Sequence, residues 1–96
     1  MKLSPSEVQT RLASIEGWIE EGDTLRKQYR FKTFPDAIAF VTRLAFDAES
    51  ADHHPDLHVS YRNVTVVWTT HSDGGITAKD FDGAAQSDMI AARMSR

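Results

Sequence analysis

Residues 57–68 read LHVSYRNVTVVW, with apolar and polar side chains alternating on both sides of a short polar interruption. Strict alternation is typical of a strand that buries one face, and the polar pair Arg62-Asn63 suits a tight turn. The stretch therefore predicts a β-hairpin. Its apolar side chains are expected to point into the core from Leu57, Val59, Tyr61, Val64, Val66 and Trp68.

A second alternating run extends from Trp18 to Lys32. Gly22-Asp23 supplies a turn that divides this run into two short strands. Arg26 and Arg30 then fall on the face away from the core, which either stays solvated or becomes a contact between subunits.

Three amphipathic helices are predicted around these strands. The first begins at Ser4-Pro5-Ser6-Glu7, which has the pattern of a capping box, and is expected to stop near Gly17. The second runs from Thr33 to about Ser50, and the third opens at Thr77-Ala78-Lys79-Asp80. Their predicted apolar faces carry Val8, Leu12 and Ile15; Ile38, Val41, Leu44, Ala45 and Ala48 with Ala37 and Phe40 beside them; and Phe81, Ala84, Ala85, Met89 and Ala92.

The predicted order of elements is α-β-β-α-β-β-α. An α+β fold with a four-stranded, mostly antiparallel sheet and three helices packed on one face would bury every apolar stripe. The chain has 96 residues, too few for a second core, so we expect a single domain over residues 1–96.

Composition excludes several classes of protein. With no cysteine, disulfides, thiolate metal sites and cysteine nucleophiles are ruled out. The apolar runs are too short to span a membrane, and the N-terminus lacks the apolar region of a signal peptide, so a cytoplasmic protein is expected. A net charge of −3 provides no general attraction for nucleic acid.

All four histidines fall within residues 53–71, which suggests a site. One interpretation is a metal site, because His54 and His58 are four residues apart and Glu49 or Asp52 could complete the ligands; no HExxH pattern supports it. Another is that the histidines are structural or exposed, which we accept for His58.

A third interpretation is acid/base chemistry without a metal. His53 and His54 are adjacent at the end of the second helix, and His71 is expected to end the last strand. If these ends meet, three imidazoles line one cavity, with Glu49 and Asp80 as orienting carboxylates. A paired acid and base would suit an elimination or isomerisation that takes one proton and gives another.

The same residues resemble the pterin-4a-carbinolamine dehydratase family. The resemblance rests on Glu49-Ser-Ala-Asp52-His53-His54-Pro55, Tyr61, Thr70-His71, Gly75-Ile76-Thr77 and Asp80, and extends upstream to Gly17-Trp18 and Phe31-Lys32-x-Phe34. Two departures occur: Leu57 stands where an aromatic is frequent, and Tyr61-Arg62-Asn63 replaces a more usual Tyr-Asn-x.

The resemblance implies dehydration of 4a-hydroxytetrahydropterin to quinonoid dihydropterin, with no metal and no cofactor. It implies that His53 and His71 are the acid/base pair, that His54 positions the substrate and shares in proton transfer, that Asp80 orients an imidazole, and that Glu49 supports substrate binding. It further implies a functional link to an aromatic amino-acid hydroxylase, assembly as a homodimer or homotetramer, and no direct contact with nucleic acid or membrane.

Two other functions fit the resemblance. Some members of the family are dimerising partners of a transcription factor, and the scaffold could serve another pterin, as in molybdopterin metabolism. His53, His54 and His71 are all present, which favours the enzyme over a purely binding protein.

Overall fold

The computed structural model describes residues 1–94, so the predicted domain over residues 1–96 extends beyond the described part. The predicted order α-β-β-α-β-β-α is confirmed, with one additional 3₁₀ turn before the last helix. The elements are α1 Pro5–Leu12, β1 Ile19–Glu21, β2 Thr24–Arg30, α2 Phe34–Ala51, β3 Asp56–Ser60, β4 Asn63–Trp68, the turn His71–Asp73, and α3 Ala78–Met94.

The four strands form one antiparallel sheet, as predicted, and the structure gives their order as β1-β2-β4-β3. Leu25 of β2 pairs with Trp68 of β4, and Leu57 of β3 pairs with Val66. Because side chains alternate along a strand, this register puts most apolar residues of β2, β3 and β4 on one face, where α2 and α3 pack. Within the described residues, the edge strands β1 and β3 are each paired on one side only.

The helix starts follow their sequence signals. Ser4 accepts a hydrogen bond from the Glu7 amide while Glu7 accepts one from the Ser4 amide, which lowers the pKa of the Glu7 carboxyl. Thr33 caps α2 through the Asp36 amide. The expected stop at Gly17 is wrong: α1 ends at Leu12, and residues 13–17 form a series of turns before β1.

The predicted apolar faces of α2 and α3 are rotated from the observed ones. In α2, Ile38 is 40% exposed, and Ala45 is also exposed. In α3, Met89 is 47% exposed, and Ala85 and Ala92 are exposed too. Fully buried Ser87 lies on the inner face of α3. A pattern of apolar residues does not reveal this position, because serine is polar. The buried residues are Ala37, Phe40, Leu44 and Ala48 in α2, and Asp80, Phe81, Ala84, Ser87 and Ile90 in α3.

The hairpin between β3 and β4 turns one residue earlier than predicted. Ser60 pairs with Asn63, so Tyr61 and Arg62 form the turn, and Tyr61 adopts a φ of +53°. Tyr61 is therefore exposed instead of lying in a strand. The earlier turn is the one that keeps Val59 opposite Val64, with both on the face covered by helices.

A cluster of polar contacts around Asp88 connects α3 to β2, away from the histidines. The Asp88 carboxylate accepts hydrogen bonds from Trp18 Nε1, Lys27 Nζ and the Tyr29 hydroxyl. Burial, together with the bond to Asp88, raises the pKa of Tyr29 far above its ordinary value. In the part of the chain that the structure describes, no helix is both long and apolar enough to cross a membrane.

Candidate active site

An imidazole and a carboxylate meet where α2 ends and α3 begins. Asp52 caps α2 in the left-handed conformation, with a φ of +52°, and the chain turns there to bring His53 back over the helices. His53 Nε2 lies 2.6 Å from Asp80 Oδ1, and the Asp80 side chain is fully buried. The two predicted residues are thus brought together, although they are 27 positions apart in the chain.

The second oxygen of Asp80 belongs to the start of α3. Asp80 Oδ2 accepts hydrogen bonds of 2.8 Å from the Thr77 amide and from the Thr70 hydroxyl. The Thr70 and Thr77 hydroxyls are also 2.8 Å apart. The carboxylate is therefore an N-terminal cap and a histidine partner at once, and its position is fixed from three sides.

This pairing determines which histidine nitrogen is available for chemistry. A buried carboxylate accepts hydrogen bonds, so it holds the His53 tautomer that carries hydrogen on Nε2. Nδ1 is then the nitrogen with a free lone pair. An imidazole held in this way can take a proton from a bound substrate and carry the resulting charge beside the carboxylate.

His54 and Glu49 form a separate pair. His54 Nε2 lies 2.8 Å from Glu49 Oε1, but the side chains are 57% and 80% exposed. A contact this exposed contributes little to stability, so both groups are accessible to a ligand. The two predicted carboxylates therefore serve different histidines.

His71 is not in a strand, contrary to expectation. β4 ends at Trp68, and Thr70 then pairs with Gly75 as an isolated bridge. His71 begins the short turn that this bridge closes, and it is exposed. It follows Thr70, whose hydroxyl binds Asp80, so the His71 turn is attached to the same carboxylate that holds His53.

A cleft of about 440 Å³ lies between α2 and α3 beside the His53–Asp80 pair. Of the three predicted imidazoles, only His53 lines it, so the expectation of one cavity lined by all three is wrong for this chain alone. The size is within the range of small-molecule sites. Its other lining residues are Leu44, Asp47, Ala48, Ser50, Ala51, Trp68, Lys79, Asp82, Gly83 and Gln86.

The remaining histidine lies elsewhere. His58 is exposed on β3, opposite Thr65, on the face of the sheet away from the helices. Within residues 1–94, no group of three or more histidine, aspartate or glutamate side chains is placed to hold a metal ion.

Sequence reasoning missed Trp68, Thr70 and Gly83 as parts of the site. The sequence assigned Trp68 to the hairpin core, and its ring in fact stacks on His53 with centroids 5.3 Å apart. Thr70 immediately precedes a predicted site histidine, which was a usable signal. Nothing in the sequence pointed to Gly83, because its role depends on contact between two distant elements.

The fold and this site define a class of small α+β proteins in which helices cover one face of an antiparallel sheet and a buried carboxylate holds an imidazole beside a cleft. A family model for pterin 4 alpha carbinolamine dehydratase matches residues 1–90. The chain belongs to that family, which confirms the resemblance seen in its histidine motif.

Curated relatives cover nearly the whole chain. A protein of Roseiflexus sp. (strain RS-1), named "Putative pterin-4-alpha-carbinolamine dehydratase", is 48% identical over 89 residues, 93% of this chain and 96% of the relative. A protein of the same name from Thermosynechococcus vestitus is 51% identical over 90 residues, 94% of this chain and 95% of the relative.

Two solved structures share the fold. A transcriptional coactivator/pterin dehydratase from Brucella melitensis superposes with a TM-score of 0.91 and 32% identity, over 95% of this chain and 99% of that one. A pterin dehydratase-like protein identified as a RuBisCO assembly factor in the alpha-carboxysome has a TM-score of 0.68 and 24% identity, over 79% and 90%. The second likeness supports the fold alone.

Proposed function

We propose that this protein is a 4a-hydroxytetrahydropterin dehydratase that uses histidine acid/base catalysis without a metal. One observation carries the proposal: His53, whose Nε2 lies 2.6 Å from the buried Asp80 carboxylate, lines a cleft of small-molecule size. Family membership supports the substrate class, since the curated relatives carry the dehydratase name.

The reaction requires two proton transfers on one substrate. The C4a–O bond breaks, and the oxygen leaves as water after receiving a proton from an acid. A base removes the proton from the neighbouring ring nitrogen, and the electrons of that N–H bond form the new C=N bond of the quinonoid product. Positioned proton transfer of this kind accelerates a reaction by about 10²–10⁴-fold.

The proposed roles follow from the residues' surroundings. His53 and His71 are the acid/base pair, one held by Asp80 and the other on the adjacent exposed turn. His54, with Glu49 beside it, positions the substrate and shares in proton transfer. The physiological role we propose is the recycling of the tetrahydropterin oxidised by an aromatic amino-acid hydroxylase.

We also propose that the protein is a homodimer or homotetramer and that α2 supplies the contact. Phe34, Ile38, Val41 and Ala45 follow the helical spacing along one side of α2, and Phe34 and Ile38 are 47% and 40% exposed. An apolar stripe of this kind is typical of a surface that another chain covers. The alternative of a dimerising regulatory partner would use the same stripe.

The test generates the 4a-carbinolamine in situ with an aromatic amino-acid hydroxylase and follows its dehydration by ultraviolet absorbance. We expect the protein to accelerate the decay, and to do so equally in the presence of a chelator. Folded protein that leaves the rate unchanged would contradict the dehydratase and favour another pterin or a protein partner. Loss of acceleration in chelator would contradict metal-free chemistry.

A further inference from the structure

The Trp68 indole forms the wall behind His53. The two rings stack, with centroids 5.3 Å apart and planes inclined by 27°. Trp68 is only 2% exposed and is the last residue of β4. Its Nε1 donates to the hydroxyl of buried Ser87, 3.2 Å away, and that hydroxyl donates to the Gly83 carbonyl at 2.8 Å. The indole is therefore held by the sheet on one side and by α3 on the other.

Gly83 makes room for this ring. A Cβ atom at position 83 would lie 2.6 Å from two indole carbons, Cδ2 and Cε2, and 2.8 Å from Cε3. No side chain fits at such a distance without displacing the ring. Glycine within a helix is otherwise unfavourable, because it loses more conformational freedom on folding than alanine does. Gly83 and Trp68 are thus a matched pair, and both line the cleft with His53.

We propose that Trp68 is a positioning residue for His53, with Gly83 admitting its ring. This inference rests on the proposed dehydratase function. The bond to Asp80 fixes one atom of the imidazole but leaves the ring free to tilt about that bond. Contact with the indole face removes that freedom and fixes the plane in which Nδ1 meets the substrate. Small errors in the placement of a reacting group cost large factors in rate.

The indole also suits the charge that His53 acquires. The face of an aromatic ring carries partial negative charge, and a cation within about 6 Å of the indole centroid is attracted to it. Once His53 has taken a proton, the indole face on which it stacks and the Asp80 carboxylate at its Nε2 both stabilise its charge. The other titratable groups lining the cleft are Asp47 from α2 and Lys79 and Asp82 from α3.

A fluorescence titration tests the contact without any pterin. Protonated imidazole quenches the emission of an indole that it touches. The chain has two tryptophans, and Trp18→Phe leaves Trp68 as the only indole. We expect emission to rise with pH at the point where the imidazole that touches the indole loses its proton. The step should vanish in His53→Gln and persist in His58→Gln. A flat titration, or a step that survives His53→Gln, would overturn the proposal.

Steady-state kinetics test the positioning role. We expect Trp68→Leu to lower kcat about tenfold with KM changed less than about threefold, and Trp68→Phe, which retains a ring face, to recover most of the rate. If Trp68→Leu does not fold, Gly83→Ala replaces it as the test. Its added methyl group displaces the indole and should weaken both the rate and the fluorescence step. A folded Trp68→Leu protein with full kcat would contradict positioning.

The two readouts separate this inference from the function on which it rests. If the unaltered protein does not accelerate carbinolamine dehydration, the proposed function fails. The dependence of Trp68 emission on pH then tests the indole–imidazole contact by itself. Loss of the emission step in His53→Gln still supports that contact.

Discussion

At the scale of single residues, the site depends on one carboxylate whose two oxygens bind different partners. Asp80 gives Oδ1 to His53 and Oδ2 to the Thr77 amide and the Thr70 hydroxyl. The sequence offered an orienting carboxylate and a carboxylate at the start of α3 as alternative interpretations of Asp80, and the structure shows both contacts in one side chain. The bond to Thr70 was not predictable, because it crosses from the end of one element to the start of another.

Replacing individual histidines separates proton transfer from structure. We expect His53→Ala and His71→Ala to lower kcat by about 10²–10⁴-fold, because each would remove a proton-transfer group. His58→Ala is the matched control: it lies on the opposite face of the sheet and should keep the rate within about twofold. Thermal unfolding of all three variants checks that they are folded. Equal losses in the three would refute the assigned roles.

At the scale of helices and strands, the order of elements was predictable and the rotation of the helices was not. Caps and alternating patterns are local, so Ser4, Thr33 and the hairpin residues revealed their elements without tertiary information. In α2, by contrast, apolar residues extend around a wide arc from Phe40 to Ile38. Periodicity alone could not select which part of that arc faces the sheet. The packing of α3 and β4 makes the selection.

The hydrogen bond between Tyr29 of β2 and Asp88 of α3 predicts how the stability of the protein changes at high pH. Tyr29 has its pKa raised by burial and by Asp88, so the folded chain keeps this proton above pH 10.0, where the unfolded chain releases it. The unfolded state then binds fewer protons, and the free energy of unfolding falls as the pH rises. We expect Tyr29→Phe to remove a slope of at most about 1.4 kcal/mol per pH unit, measured by urea unfolding.

The chain's other tyrosine provides the control for that slope. Tyr61 is 66% exposed in the β3–β4 turn and, unlike Tyr29, is not enclosed by the fold. Tyr61→Phe should therefore keep the alkaline slope of the unaltered protein. If Tyr29→Phe kept it too, the fall in stability would have to come from other groups.

At the scale of the whole molecule, part of the exposed apolar surface lies where the sequence predicted core. Ile38 and Ala45 were predicted to face inward, and both lie on the exposed stripe of α2 instead. A hydrophobic pattern records that a residue avoids water, but it does not say whether its own chain or another chain covers it. This ambiguity explains why the fold was predictable while the helix faces were not.

The same stripe predicts how the oligomeric state will change when a charged side chain is introduced into it. We expect the unaltered protein to sediment as a dimer or tetramer and Ile38→Asp to shift it to a smaller species, because a charge in an apolar contact is costly. Met89→Asp on α3 is the matched control, with similar exposure outside the stripe, and should leave the sedimentation unchanged. A monomeric parent, or identical behaviour of both variants, would contradict the proposed contact.

The double duty of Asp80 has a consequence for judging related proteins. Because this side chain also caps α3, a descendant that abandoned catalysis would still gain stability from it, whereas the proposed chemical role of His53 would be lost. Asp80 therefore indicates the architecture, and His53 indicates the activity that we propose. A relative that keeps the aspartate and lacks the imidazole is expected to be a sound scaffold with no dehydratase chemistry.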